Sequence, residues 1–132
     1  MFREIRLVPR VLRGVEGRSI ARHLFRREWS APFGIAPMGI AALMARNADI
    51  ETARAAAKAG VPYVLSGSSL TPMERVIEAN PETWFQAYLP GEEDRIRALV
   101  DRVRSAGYRT LVLTADTAVL ARSFHLTNTL SH

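Results

Sequence analysis

From residue 31 onward, apolar runs of strand length alternate with stretches whose apolar residues recur at helical spacing. "APFGIAPMG" is followed by the alanine-rich "ADIETARAAAKAG", a helix that Asp49 is placed to cap and Gly60 to end. "VPYVLSGSS" precedes "TPMERVIEAN", with Thr71 as its expected cap and Pro72 in the first turn. "TWFQAYLP" precedes "EEDRIRALVDRVRSAG", where Ile96, Leu99, Val100 and Val103 share one side, acids occupy the first turn and Gly107 follows the last. "YRTLVLTADT" is the fourth apolar run. Strands alternating with helices predict right-handed βαβ units and a parallel sheet. With strand ends at Ala36, Leu65, Ala87 and Leu113 the repeat is 29, 22 and 26 residues. Eight such units come to roughly the size of a (β/α)8 barrel, and 132 residues hold about four.

One polar residue breaks the third run. In an extended chain Trp84, Gln86 and Tyr88 point to one face and Phe85, Ala87 and Leu89 to the other, so an amide lies between two aromatics. Burying it unpaired costs about 1–3 kcal/mol, which predicts a hydrogen-bonding partner. In parallel α/β architectures ligands meet the carboxyl ends of the strands. Pro37-Met38-Gly39, Ser66, Gln86 and Thr114 all fall at such ends, and together they would suit a planar heterocycle with alternating donors and acceptors. Taken singly, each has a plain structural reading as a satisfied amide, a turn or cap hydroxyl, or a strand exit. A flavodoxin-like or receiver-like module of this length is the competing architecture. Against it stand the missing glycine-rich phosphate loop after the first run and the missing acidic cluster at the strand ends.

Composition narrows the function classes. Apolar residues make up 48% and charged ones 23%, as in a globular protein. Without cysteine there is no disulfide, thiolate metal site or cysteine nucleophile. No apolar run approaches the ~20 residues of a membrane span, and the arginines in "MFREIRLVPRVL" argue against a secretory signal. A cytoplasmic location is the expectation. The net charge of +5 lies wholly within residues 1–30 and reflects an arginine bias that runs through the chain, so no nucleic-acid partner is expected.

The motifs "LVPRVL", "PFGIAPMG", "TARAAAKAG", "LSGSS", "WFQAYLP" and "AGYRTLVLTADT", in this order, resemble the FMN-dependent 2-hydroxy acid oxidases and dehydrogenases, a group that includes glycolate and lactate oxidases and mandelate dehydrogenases. The resemblance covers about residues 2–120. It implies the amino-terminal half, about four βα units, of a TIM (β/α)8 barrel, with a basic lead-in at 1–30, the partial barrel at 31–120 and a divergent tail at 121–132. It implies FMN as cofactor, with Ala36, Pro37, Met38 and Gly39 against the isoalloxazine and Ser66, Gln86 and Thr114 on its pyrimidine edge. Tyr88 corresponds to a substrate-facing tyrosine. The substrate arginine falls on Arg122 in one register and on Ser123 in the other. The family's catalytic histidine, flavin-contacting lysine and phosphate loops belong to later strands, so no catalytic residue is assigned; His23, His125 and His132 read as surface or tail residues. The expectation is a truncated fragment of an enzyme that oxidises a small 2-hydroxy acid. Half a barrel leaves two sheet edges unpaired, so association with a copy of itself or with a complementary fragment is also expected. The alternative is a non-catalytic remnant that binds flavin weakly or only associates with a partner.

Overall fold

The computed structural model describes residues 6, 8–89 and 91–115. Its centre is a parallel three-stranded sheet in the order β3 (Val64–Leu65), β4 (Trp84–Ala87), β5 (Leu111–Leu113). Helices α1 (Ala48–Ala59), α2 (Met73–Ala79) and α3 (Glu93–Ser105) alternate with the strands. The strand ends at residues 65, 87 and 113 fall where the hydrophobic pattern puts them. The first run differs: of "APFGIAPMG" only Ile35 pairs, in a single parallel bridge with Tyr63. Its N–H donates to the Pro62 carbonyl (2.8 Å) and its own carbonyl accepts from Val64 N–H (3.0 Å). The reason is local. Pro32 and Pro37 cannot donate to a ladder, and Gly34 sits so close to Pro62 that a Cβ would lie 2.7 Å from the Pro62 carbonyl oxygen. The result is an open parallel sheet of partial-barrel type.

Alternation sorts the strand residues as expected. Leu65, Phe85 and Ala87 join the main core with Ile50, Ala53 and Ala56 of α1, Val76 and Ile77 of α2, and Val103 of α3. Fully buried alanines at 53 and 56 let α1 lie close to its neighbours. The Phe85 ring meets Tyr108 edge-on at 5.5 Å, and the Tyr108 hydroxyl donates to the Met73 carbonyl (2.9 Å). Arg102 on α3 forks onto Glu74 on α2 (3.0 and 3.3 Å). Val100, grouped by periodicity with the buried side of α3, is exposed.

Within the lead-in segment the hydrophobic pattern does not announce a hairpin, β1 (Arg22–Leu24) with β2 (Arg27–Trp29). Its turn puts Phe25 and Arg26 at positive φ (50° and 64°) without the Asn-Gly chemistry such turns favour. Aromatic packing offsets that strain: Phe25 and Trp29 meet the Trp84 ring edge-on at 5.2 and 6.1 Å, and Arg27 pairs with Glu82 at 2.6 Å. Two expected helix caps also differ. The N-cap of α1 is Asn47 and that of α2 is Pro72. Asp49 and Thr71 turn their side chains to each other instead (2.9 Å). Gly60 does end α1, at φ 66°.

Gly60 and the two buried tyrosines generate predictions. A Cβ at Gly60 would run into Ser30 Oγ and lie 3.3 Å from Ser30 Cβ, while Ser30 N–H donates to the Gly60 carbonyl (2.8 Å). Gly60→Ala should therefore cost about 1–3 kcal/mol in urea denaturation. Adding Ser30→Ala should recover only the smaller part, because the left-handed backbone is unchanged. Burial, reinforced by the Asp49 carboxylate, pushes the Tyr63 hydroxyl above the ordinary tyrosine range, and burial does the same for Tyr108. Raised folded-state values mean that the folded protein holds these protons more tightly, so their contribution is complete below the ordinary value and is lost as pH rises beyond about 10. Denaturant midpoints compared on either side of that pH should fall on the alkaline side, and a flat profile would rule the coupling out.

Candidate cofactor-binding site

The site is built from the exits of the three parallel strands. Gln86 is the third residue of β4 and is 1% exposed. Its neighbours on the inner face are Trp84 and Tyr88, and it reaches sideways to both adjacent strands. On the β3 side its Oε1 accepts from Gly67 N–H (3.0 Å) and from Ser66 Oγ (3.3 Å); on the β5 side its Nε2 donates to Thr114 Oγ1 (2.8 Å). A backbone N–H can only donate, so Gly67 fixes which end of the amide faces β3. The amide is thus paired within the protein, and its burial alone does not require a ligand.

The rest of the exit loop is similarly determined. Ser68 N–H donates to Ser66 Oγ (3.1 Å), and Ser69 N–H to the Ser66 carbonyl (3.0 Å), which closes a tight turn. Gly67 is needed where it stands: a Cβ would be 2.7 Å from the Gln86 carbonyl oxygen. Thr114 N–H continues the β4–β5 ladder onto the Ala87 carbonyl (3.1 Å), which holds its hydroxyl within reach of Gln86. The exit after Ile35 arrives from the other side. Ile40 N–H donates to the Ser68 carbonyl (3.2 Å), and a Cβ on Gly39 would lie 3.4 Å from Ser68 Cβ and 3.9 Å from Ser66 Oγ. Gly39 thus lies against this cluster, and Ala36, Pro37 and Met38 before it are exposed. Tyr88 follows β4 and is also exposed.

Four chain exits therefore meet at one rim, with Ser66, Gln86 and Thr114 joined by direct hydrogen bonds and Gly39 alongside. Arg122 lies outside the described residues, as do His125 and His132. His23 belongs to the hairpin and faces Glu28 at 3.5 Å, away from the rim. One contributor is not evident from the side-chain pattern, the Gly67 N–H, legible only as a glycine inside "LSGSS".

A cleft of about 440 Å³ has Leu24, Phe33, Ile35, Val64 and Trp84 in its wall and also reaches Ala36. Its lining is mainly apolar and holds none of Ser66, Gln86 and Thr114, so the hydrogen-bonded rim is the better candidate. Among the described residues no group of three or more acidic or histidine side chains is placed to hold a metal ion. No helix among them is long and apolar enough to cross a membrane.

Comparison with known proteins agrees with this architecture. The sequence model of the family described as FMN-dependent dehydrogenase matches residues 1–132. The chain is 36% identical over 116 residues to an L-lactate dehydrogenase of Ectopseudomonas mendocina, a match covering 87% of this chain and 31% of that protein. It is 35% identical over 121 residues to an FMN-dependent alpha-hydroxy acid dehydrogenase of Penicillium citrinum, covering 90% and 30%. Among solved structures it superposes on mandelate oxidase with benzoyl-formic acid at a TM-score of 0.77 and 32% identity, over 83% of this chain and 32% of that one. A mandelate oxidase variant with a C4a-OH-FMN adduct gives 0.77 and 31%, over 83% and 33%. The chain thus spans about 30% of the length of the curated relatives it matches. A match along its whole length, together with parallel strand exits that meet at one rim, assigns this chain to the FMN-dependent dehydrogenase family.

Proposed function

We propose that this chain supplies the isoalloxazine-binding rim of an FMN-dependent oxidoreductase that converts a small 2-hydroxy acid into the corresponding 2-oxo acid. The observation that carries the reading is the hydrogen-bonded row Ser66, Gln86, Thr114. Its internal bonds use both acceptor positions of the Gln86 oxygen and one hydrogen of its nitrogen, while Thr114 Oγ1 accepts. That leaves one amide hydrogen and one hydroxyl hydrogen, two donors side by side, which suits the acceptors on a flavin's pyrimidine edge. Residues 36–39 are exposed, and Gly39 lies against Ser66, so this segment would lie against the ring.

When bound, FMN would take a hydride equivalent from the carbon that carries the hydroxyl. The chain's own residues hold and orient. Gln86 cannot rotate without stranding Gly67 N–H, so its donor is aimed before any ligand arrives, which lowers the ordering cost of binding. Tyr88, exposed two residues after Gln86, is the candidate to meet the substrate's carboxylate or hydroxyl, and Arg122 is the candidate for the carboxylate itself. No described histidine lies at this rim, so proton abstraction is not assigned to this part of the chain, nor is the flavin phosphate. The relative solved with benzoyl-formic acid, a 2-oxo acid, supports the substrate class.

A second reading, association with another copy or a complementary fragment, is favoured by β5. Leu111 and Leu113 lie in register with Phe85 and Ala87, yet are 42% and 55% exposed where those two are buried. Such a face, on a strand that has no further partner among the described residues, invites one.

Titration of the purified chain with FMN should perturb the visible flavin bands and quench the flavin's fluorescence, and unchanged spectra at saturating protein would refute the binding reading. Thr114→Val should weaken binding about tenfold, the worth of one or two hydrogen bonds, with unchanged circular dichroism. For the second reading, sedimentation should reveal self-association that Leu113→Glu reduces; a monomer at all concentrations would count against a second copy as the partner.

A further inference from the structure

The buried carboxylate of Asp49 has no part in the rim, yet three elements meet on it. It is 1% exposed and accepts from three hydroxyls: Tyr63 Oη on one oxygen (3.0 Å), and Ser69 Oγ (2.8 Å) and Thr71 Oγ1 (2.9 Å) on the other. Ser69 Oγ also accepts from Thr71 N–H (2.9 Å). No cation appears among its hydrogen-bond or ion-pair partners within the described residues.

This arrangement grips the exit loop of β3 from behind. Residues 66–71 run between two buried polar side chains, with Ser66 and Gly67 on Gln86 and Ser69 and Thr71 on Asp49. Removing the outer grip leaves the tight turn at Ser66–Ser69 free to shift, and the shift is felt at once by the Gly67 N–H that orients the Gln86 amide. We propose that Asp49 is a positioning residue for the cofactor rim, acting through Ser69 and Thr71 to hold Gly67 N–H and Ser66 Oγ on Gln86. The effect on flavin rests on the FMN-binding reading; the effect on the loop does not.

Asp49→Ala removes both acceptor oxygens, so Ser69 and Thr71 lose the partner that holds the loop. In the full chain its expected effects are an amide exchange rate at Gly67 raised about tenfold with core amides such as Val76 unchanged, and FMN bound about tenfold more weakly. The flavin carbonyl stretching bands should move toward those of free FMN. A role confined to stability would raise exchange throughout and leave the bands of bound flavin where they are in the wild type. Thr71→Val, which removes one of the three donors and leaves Asp49 in place, should reproduce the loop effect in smaller measure and serves if Asp49→Ala does not fold. Unchanged Gly67 exchange in the folded variants overturns the proposal. If the wild-type chain fails to bind FMN, the functional reading falls, and Gly67 exchange alone still decides the role of Asp49.

Discussion

The amide of Gln86 is the constraint on which the described structure turns. It is a polar group in the middle strand of a parallel sheet, buried to 1% exposure, and each of its heavy atoms must be matched. The neighbours that match it come from different strands: Ser66 and Gly67 after β3, and Thr114 after β5. One side chain therefore sets the relative height of three strand exits. A slip of one residue in either flanking strand would turn the partners to the other face and leave the amide unpaired, so the polar row enforces the register that the hydrophobic layer permits.

Behind this row the chain places a second polar centre of opposite kind. Gln86 both donates and accepts, and its geometry is fixed by a backbone N–H. Asp49 only accepts, and its three donors are side-chain hydroxyls, which can rotate to suit. The loop between them is held on both sides without a residue of its own in the hydrophobic core. Loops that carry binding groups are usually positioned by the scaffold below them; here the positioning is done by two buried polar side chains, one from a strand and one from a helix.

The sequence showed most of the scaffold and the side chains of the rim, for physical reasons that also explain what it hid. Strand exits were legible at Leu65, Ala87 and Leu113 because buried parallel strands read as continuous apolar runs. Gln86 stood out because it interrupts one. The first strand was overstated because an apolar run containing Pro32, Gly34 and Pro37 satisfies hydrophobic periodicity while lacking the N–H groups and side chains a ladder needs. The hairpin at residues 22–29 was hidden because its turn, Phe25-Arg26, has none of the usual turn residues and is held by distant Trp84. Asp49 and Thr71 were misread for a related reason. Each has the residue type and position of a helix cap, and only the tertiary structure reveals that the two side chains bond across elements instead.

The three legs of the polar row are not equally secured. Ser66 and Gly67 sit on a loop held by Gln86 on one side and Asp49 on the other, and Leu65 before them is fully buried. Thr114 has a ladder bond to Ala87 and the bond to Gln86, and it follows a strand whose outward leucines are exposed. Local opening is easiest where few buried contacts resist it, so the Thr114 leg is the weak one. Anything that covers Leu111 and Leu113, whether further chain or a partner, would add apolar burial at about 25 cal/mol per Å² directly beneath that leg. Covering the edge and completing the rim are then a single event, because β5 carries the apolar face on one side and delivers the Thr114 hydroxyl to the other.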